Sequence, residues 1–153
     1  MRVVLWEPEI PPNTGNIARL CAATGLELHL VEPLGFRIDD ASLKRAGLDY
    51  WPHVKVSVWP DLDACLEATG PSRLVATSAN EGTPVHVFPF HREDTLLFGP
   101  ETRGLPERVL ARTPHRVRIP MVQRAVRSLN LSTAAGIVTY MALAKSGMLD
   151  AWN

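Results

Sequence analysis

Ile119-Pro120-Met121-Val122-Gln123-Arg124-Ala125-Val126-Arg127-Ser128-Leu129-Asn130-Leu131-Ser132 is the stretch on which the reading of this chain turns. Val117–Pro120 reads as a last short strand and Ser128–Lys145 as one long final helix. The segment therefore runs from a strand end, through a polar loop, into a helix start. Apolar helices seldom begin with Ser128, Asn130 and Ser132 so close to the buried face. Such side chains serve either as N-caps for the first-turn amides or as groups of a site, and both readings stand. Two other segments have the same character: Pro11-Pro12-Asn13-Thr14-Gly15-Asn16-Ile17-Ala18-Arg19 and Leu97-Phe98-Gly99-Pro100-Glu101-Thr102-Arg103-Gly104-Leu105-Pro106.

Outward from these segments, apolar runs of strand length lie at Arg2–Trp6, Glu27–Val31, Val54–Val58, Arg73–Thr77 and Thr95–Phe98. The first helix is expected to be capped by Asn13 or Thr14, to run to Thr24, and to stop at Gly25. Ile17, Leu20, Cys21 and Thr24 form its inward stripe, which leaves Arg19 on the opposite face. Short helices are expected at Asp40–Ala46, Asp61–Ala68 and Pro106–Arg112, with a turn cluster at Asn80-Glu81-Gly82-Thr83-Pro84. Strands alternating with helices give an α/β fold with a mostly parallel sheet. Ligands of such sheets bind beyond the carboxyl ends of the strands, where all three segments would gather. Residues 1–153 read as one domain, without repeats or linkers.

The composition, 46% hydrophobic and 21% charged, is that of an ordinary soluble domain, and no apolar run reaches membrane-spanning length. The N-terminus lacks a signal peptide's apolar core, so a cytoplasmic location is expected. Cys21 and Cys65 fall in apolar helical patterns and read as reduced core thiols, and no Cys/His spacing suggests a metal. The opening strand–loop–helix–strand ends in Glu32, as a dinucleotide-binding unit would. Its loop, however, holds Glu7 and Glu9 and no G-x-G-x-x-G, which argues against NAD. Gly99 and Gly104 have P-loop spacing, but Leu105-Pro106 stands where Lys-Ser/Thr is required, which argues against ATP hydrolysis.

Net charge is zero, yet Gly99–Arg127 holds seven Arg against Glu101 and Glu107, so this stretch carries +5 and the rest −5. Thirteen of the sixteen basic residues are Arg, which suits bidentate phosphate contacts. The final helix is apolar nearly all round, from Leu129 to Leu143, which implies burial on more than one side. Tyr140 reads as a core tyrosine.

In their order along the chain, the three segments resemble the signature motifs of the SPOUT RNA methyltransferases. Trp6–Asn16 and Arg45-Ala46-Gly47-Leu48-Asp49-Tyr50 resemble in particular the small branch that 2'-O-methylates the wobble cytidine or uridine of tRNA. One departure is Val122-Gln123-Arg124-Ala125-Val126-Arg127, where the branch usually has a shorter loop, often with an acid. The resemblance implies a SPOUT-type domain with helices on both faces of the sheet and a C-terminal trefoil knot. It also implies an obligate homodimer with sites near the subunit interface. It implies S-adenosyl-L-methionine (AdoMet) as cofactor, held by Thr77, Gly99, Glu101, Ile119, Met121, Ser128 and Leu129.

Methyl transfer to a ribose hydroxyl requires alignment of oxygen, methyl carbon and sulfur, and help in removing a proton. The resemblance gives the key role to Arg19. A guanidinium stays protonated, so it would orient the hydroxyl or phosphate and stabilise the developing alkoxide. Glu101 would hold that Arg or face the sulfonium, with pairing to Arg103 as the alternative. Ser128 and Asn130 would position hydroxyl and cofactor. Asn13, Arg19, Arg124 and Arg127 would meet the anticodon loop of tRNA. Two other functions compete with wobble methylation: 2'-O-methylation of rRNA or of another tRNA position, and a non-catalytic RNA- or nucleotide-binding module.

Overall fold

The computed structural model describes residues 1–39, 41–47 and 50–152. Asp40, the expected start of the second helix, and the Leu48-Asp49 pair of the resemblance lie outside the described residues. The strands are β1 (Arg2–Trp6), β2 (Glu27–Val31), β3 (Val56–Trp59), β4 (Leu74–Thr77), β5 (Thr83–Pro84), β6 (Thr95–Phe98) and β7 (Arg116–Arg118). They form one sheet in the order β3-β2-β1-β6-β4-β7-β5, with every neighbouring pair parallel. The helices are α1 (Pro11–Thr24), α2 (Ala41–Gly47), α3 (Leu62–Thr69), α4 (Glu107–Leu110) and α5 (Leu131–Lys145).

The apolar runs follow from burial of both sheet faces, because alternate side chains of each strand enter different layers. Val3, Leu5, Leu28, Leu30, Leu96 and Phe98 pack on one side with Ile17 and Cys21 of α1 and Ala135 and Val138 of α5. Val4, Trp6, Val31 and Leu97 pack on the other with Leu62 and Cys65 of α3 and Val109 and Leu110 of α4. Each fully buried Leu or Ile in these layers contributes about 1.5–3 kcal/mol of transfer free energy. Burial pushes the Cys21 thiol up to about 12 and the Cys65 thiol to about 11, so both stay protonated and act as small apolar groups.

Helix starts are where the structure departs from expectation. α1 begins at Pro11, ahead of Asn13 and Thr14, with Ile10 as N-cap and no side-chain cap bond from it. Proline loses nothing at the first helical positions, because those amides have no intrahelical partner. Asn13 and Thr14 are buried within the first turn. Gly25 closes α1 in the left-handed region at φ 69°, as expected. α5 begins at Leu131 rather than Ser128; Asn130 is its cap and accepts from Ser132 N and Thr133 N. The cap reading thus holds for Asn130, while Ser128 stays in the exposed loop before it.

α4 is shorter than Pro106–Arg112, with Pro106 at its cap position. The turn cluster at Asn80–Pro84 contains a strand, since Thr83 and Pro84 pair with Val117 and Arg118. Tyr140 is 44% exposed, so the core reading of it is wrong: the buried side of α5 is Leu131, Ala135, Val138, Thr139, Ala142 and Leu143.

Candidate active site

The carboxyl ends of β4, β6 and β7 lie side by side, and the three loops that leave them enclose a pocket of about 570 Å³. Thr77, Gly99, Glu101, Ile119, Met121, Ser128 and Leu129 all line it. Phe98, Leu105, Val117, Leu131, Ala134 and Val138 add apolar surface, and the turn Ser78-Ala79-Asn80 adds a polar edge. Neither addition is marked in the sequence. The apolar residues read only as core, and Ser78–Asn80 reads as an ordinary turn.

The pocket's shape is fixed by hydrogen bonds at the strand ends. Thr77 Oγ1 donates to Leu97 O at 2.9 Å, and Ser78 N donates to Val117 O at 2.9 Å. Gly99 is needed for space inside the protein: a Cβ there would meet the backbone at Leu105 N and, at 2.6 Å, Gly104 C. The close approach is therefore between Gly99 and its own loop, rather than only between Gly99 and a ligand.

Glu101 has a more definite task than either sequence reading gave it. Its Oε1 accepts from Glu9 N at 2.8 Å, and its Oε2 accepts from Ile10 N at 2.7 Å and Asn13 Nδ2 at 3.2 Å. The carboxylate is the acceptor that Ile10 lacks, placed at the positive end of the α1 dipole. Arg103 pairs instead with Glu7 at 3.4 Å, and Arg19 lies with its guanidinium carbon 4.6 Å above the Tyr50 ring. The expected Glu101–Arg103 and Glu101–Arg19 partnerships are replaced by a cap on α1.

Asn13 is 6% exposed, and its Oδ1 accepts from Asn130 Nδ2 at 3.1 Å. With both ends of its amide engaged, Asn13 brackets α1 to the start of α5. Asn130 joins that bracket and the α5 cap and does not line the pocket. Arg19 is exposed on α1 and is likewise outside the pocket lining.

Most of the Arg cluster is used internally. Arg112 pairs with Asp63 at 2.7 Å, and Arg116 with Glu81 at 3.1 Å. Arg108 lies over Trp6, and Arg118 donates to Gly82 O. Arg124 and Arg127 sit exposed on the loop between β7 and α5, and Arg127 also lines the pocket. Among the described residues no group of three or more His, Cys, Asp or Glu side chains could hold a metal, and no helix is long and apolar enough to cross a membrane.

A parallel α/β sheet with a pocket at the ends of three adjacent strands is the arrangement in which domains of this class hold small ligands. Residues 1–140 match the family model described as the SpoU rRNA Methylase family, and the chain belongs to that family. It is 51% identical over 150 residues to the tRNA (cytidine(34)-2'-O)-methyltransferase of Escherichia coli (strain K12), covering 96% of this chain and 94% of that one. A solved structure described as giving insight into 2-OH methylation of C/U34 on tRNA superposes with a TM-score of 0.91 at 48% identity, covering 96% of each chain. The AdoMet complex of the SpoU methyltransferase AviRb from Streptomyces viridochromogenes superposes with a TM-score of 0.87 at 26% identity, covering 97% of this chain and 61% of that one.

Proposed function

We propose that this chain is an AdoMet-dependent enzyme that 2'-O-methylates the ribose of the wobble nucleotide, cytidine or uridine, in the tRNA anticodon loop. The convergence of all seven cofactor candidates on one pocket carries this reading. The E. coli relative, matched over nearly its whole length, supports the substrate. The pocket fits the cofactor in kind. Its volume is within the roughly 300–1,000 Å³ of small-molecule sites, with an apolar wall suited to adenine and backbone groups for polar contacts. Bound AdoMet supplies an activated methyl group and its own leaving group.

The chain's residues supply placement. Thr77, Gly99, Ile119, Met121 and Leu129 form the walls, and Glu101 holds the start of α1 against them. Ser128, exposed at the rim, positions the ribose hydroxyl. Arg19, a permanent cation, orients the acceptor and stabilises the oxygen as it loses its proton. Asn130 acts through Asn13 by holding α1 and α5 together.

Residues 1–153 form one SPOUT-type domain in this reading, with a C-terminal trefoil knot and a cytoplasmic location. The insertion of β7 between β4 and β5 supports the threading, as does the return of the 119–129 segment to the pocket formed by the loops after β4 and β6. The enzyme works as a homodimer. Arg19 lies nine residues along α1 from Ile10, about 13 Å at the helical rise, and outside its own chain's pocket. A second copy brings such a group to the pocket. The exposed side of α5, with Ile137, Tyr140 and open space at Gly136, offers an apolar face for that contact. Light scattering at micromolar concentration is expected to give twice the chain mass; a 16.9 kDa species would rule the dimer out.

The test of function is incubation of the purified protein with AdoMet and total RNA, tRNA and rRNA together, from cells lacking the enzyme, followed by mapping of 2'-O-methyl groups. Methylation only in rRNA, or at another tRNA position, would overturn the assignment. In the same system tRNA affinity should fall steeply with added salt. Arg124→Ala and Arg127→Ala should each reduce the slope of log affinity against log salt by about one, because each removes one cation able to displace phosphate counterions. AdoMet affinity should change less than tRNA affinity in both variants. A salt-independent affinity would mean that the loop does not touch the phosphates.

A further inference from the structure

The loop Glu7–Ile10 and the pocket wall Gly99–Gly104 are joined twice, in opposite senses. Glu101 of the wall accepts from Glu9 N and Ile10 N. In return the Glu9 carboxylate accepts from Thr102 N at 2.9 Å and from Thr102 Oγ1 at 2.8 Å. These bonds to Thr102, helped by Arg103, hold the Glu9 carboxyl below the usual carboxylate range. Two acids, Glu9 and Glu101, thus lie beside each other because each is satisfied by the other's backbone neighbourhood.

The Glu9 backbone is also held from behind. Gly35 N donates to Pro8 O at 2.9 Å, and Gly35 leaves no room for a Cβ, which would stand 2.7 Å from Glu9 O. Glu7, just before, sits at φ 51° in the left-handed region, a conformation that a Glu adopts only when its surroundings impose it. Glu7 N donates to Val31 O at 2.9 Å, and its carboxylate meets Arg103. An exposed acid on an ordinary loop would need none of this bracing.

Resting on the reading of the pocket as the AdoMet site, we infer that Glu9 is a positioning residue for methyl transfer: its grip on Thr102 locks the pocket wall to the start of α1, the helix that carries Asn13 and Arg19. The wall touches the cofactor, so the clasp fixes the wall's position against the rest of the chain. Because α1 carries Arg19 to the second copy's pocket, the same clasp ties the wall of one site to the group that serves the other. A misplacement of about 1 Å between reacting groups can cost on the order of a hundredfold in rate.

The test is Glu9→Ala in the full-length protein, with AdoMet affinity by calorimetry and the single-turnover rate at saturating AdoMet and tRNA. Affinity should fall about tenfold and the rate by at least as much, with Tm close to that of the unaltered protein, since a single exposed contact carries little of the fold. Glu9→Gln keeps an acceptor for Thr102 N and should recover most of both; a role for the negative charge alone would leave Gln as impaired as Ala. Thr102→Val should lose about threefold on its own and add nothing to Glu9→Ala, because the two side chains act through one contact. Wild-type affinity and rate in Glu9→Ala overturn the inference, as do additive effects or a loss that tracks Tm across the variants. Absence of AdoMet binding by the unaltered protein would instead overturn the reading of the pocket.

Discussion

Arg19→Ala is expected to lower single-turnover methyl transfer by well over tenfold while leaving the fold and AdoMet affinity near their starting values. The geometry separates the effects. Arg19 is on the exposed side of α1, opposite Ile17 and Cys21, so its removal opens no cavity in the core. Its contact with the Tyr50 ring is worth about 0.5–1 kcal/mol at an exposed position, too little to unfold a domain. It does not line its own chain's pocket, and in the proposed dimer it meets the acceptor ribose rather than the cofactor, so AdoMet affinity changes little. What it supplies is a planar cation for the ribose or its phosphate, and Arg19→Lys should restore little, because a compact ammonium cannot reproduce a bidentate fork. Rates measured with AdoMet and tRNA both saturating decide the matter. If Arg19→Ala keeps more than about a tenth of the rate, a barrier change under about 1.4 kcal/mol, the role passes to another group. Ser128, exposed on the pocket rim, is then the next to test, since both oxygens of Glu101 are already committed to α1.

Three central strands and the meeting of the polar segments at one sheet edge were legible because they depend on patterns that one chain displays. In contrast, β3 and β7 lie one or two residues from their expected places, and β5 was read as a turn. β1, β2 and β6 fall at Arg2–Trp6, Glu27–Val31 and Thr95–Phe98, as their continuous apolar runs predict, since both faces of a parallel sheet are buried. The three polar segments that follow strands meet at one edge because parallel connections bring every strand's carboxyl end to the same side. Helix starts were less legible, for a physical reason visible at Ile10. Local sequence offers Asn13 and Thr14 as caps, but the acceptor that satisfies Ile10 N comes from Glu101, far along the chain. No local rule can locate a cap that arrives by tertiary contact. The same remoteness hid the Asn13–Asn130 bracket. Tyr140 was misread because an apolar helix was taken as buried all round, whereas one of its sides is open in the single chain. The Arg cluster was legible as charge but not as use: Arg112 and Arg116 close on Asp63 and Glu81, acids distant in sequence.

Gly99→Val should abolish measurable AdoMet binding, a loss of at least about a hundredfold. The contacts responsible lie inside the protein, whatever the pose of the cofactor. A side-chain carbon at 99 would meet Leu105 N, lie 2.6 Å from Gly104 C and lie 3.0 Å from Leu105 Cγ. Two of those three atoms are backbone, so rotation of a side chain cannot relieve the clash. The opposing backbone has little freedom to withdraw: Gly104 N donates to Pro100 O at 2.8 Å, and Leu105 is anchored in the core beside Val109 and Leu110. The loop 99–105 must then move as a whole, and it forms one wall of the pocket and carries the Glu101 cap of α1. Overpacking of this kind costs about 1–3 kcal/mol of stability, so Tm should drop, but a domain of this size should stay folded. Gly99→Ala introduces the same clashing carbon and should show most of the loss, and that distinguishes displacement of the loop from simple filling of the pocket by a larger side chain. Calorimetric titration with AdoMet, beside thermal melts of both variants, reads the two effects separately. Gly99→Val binding AdoMet within about threefold of the unaltered protein would show that the wall can yield at Gly104–Leu105, and the cofactor site would have to be placed away from this loop.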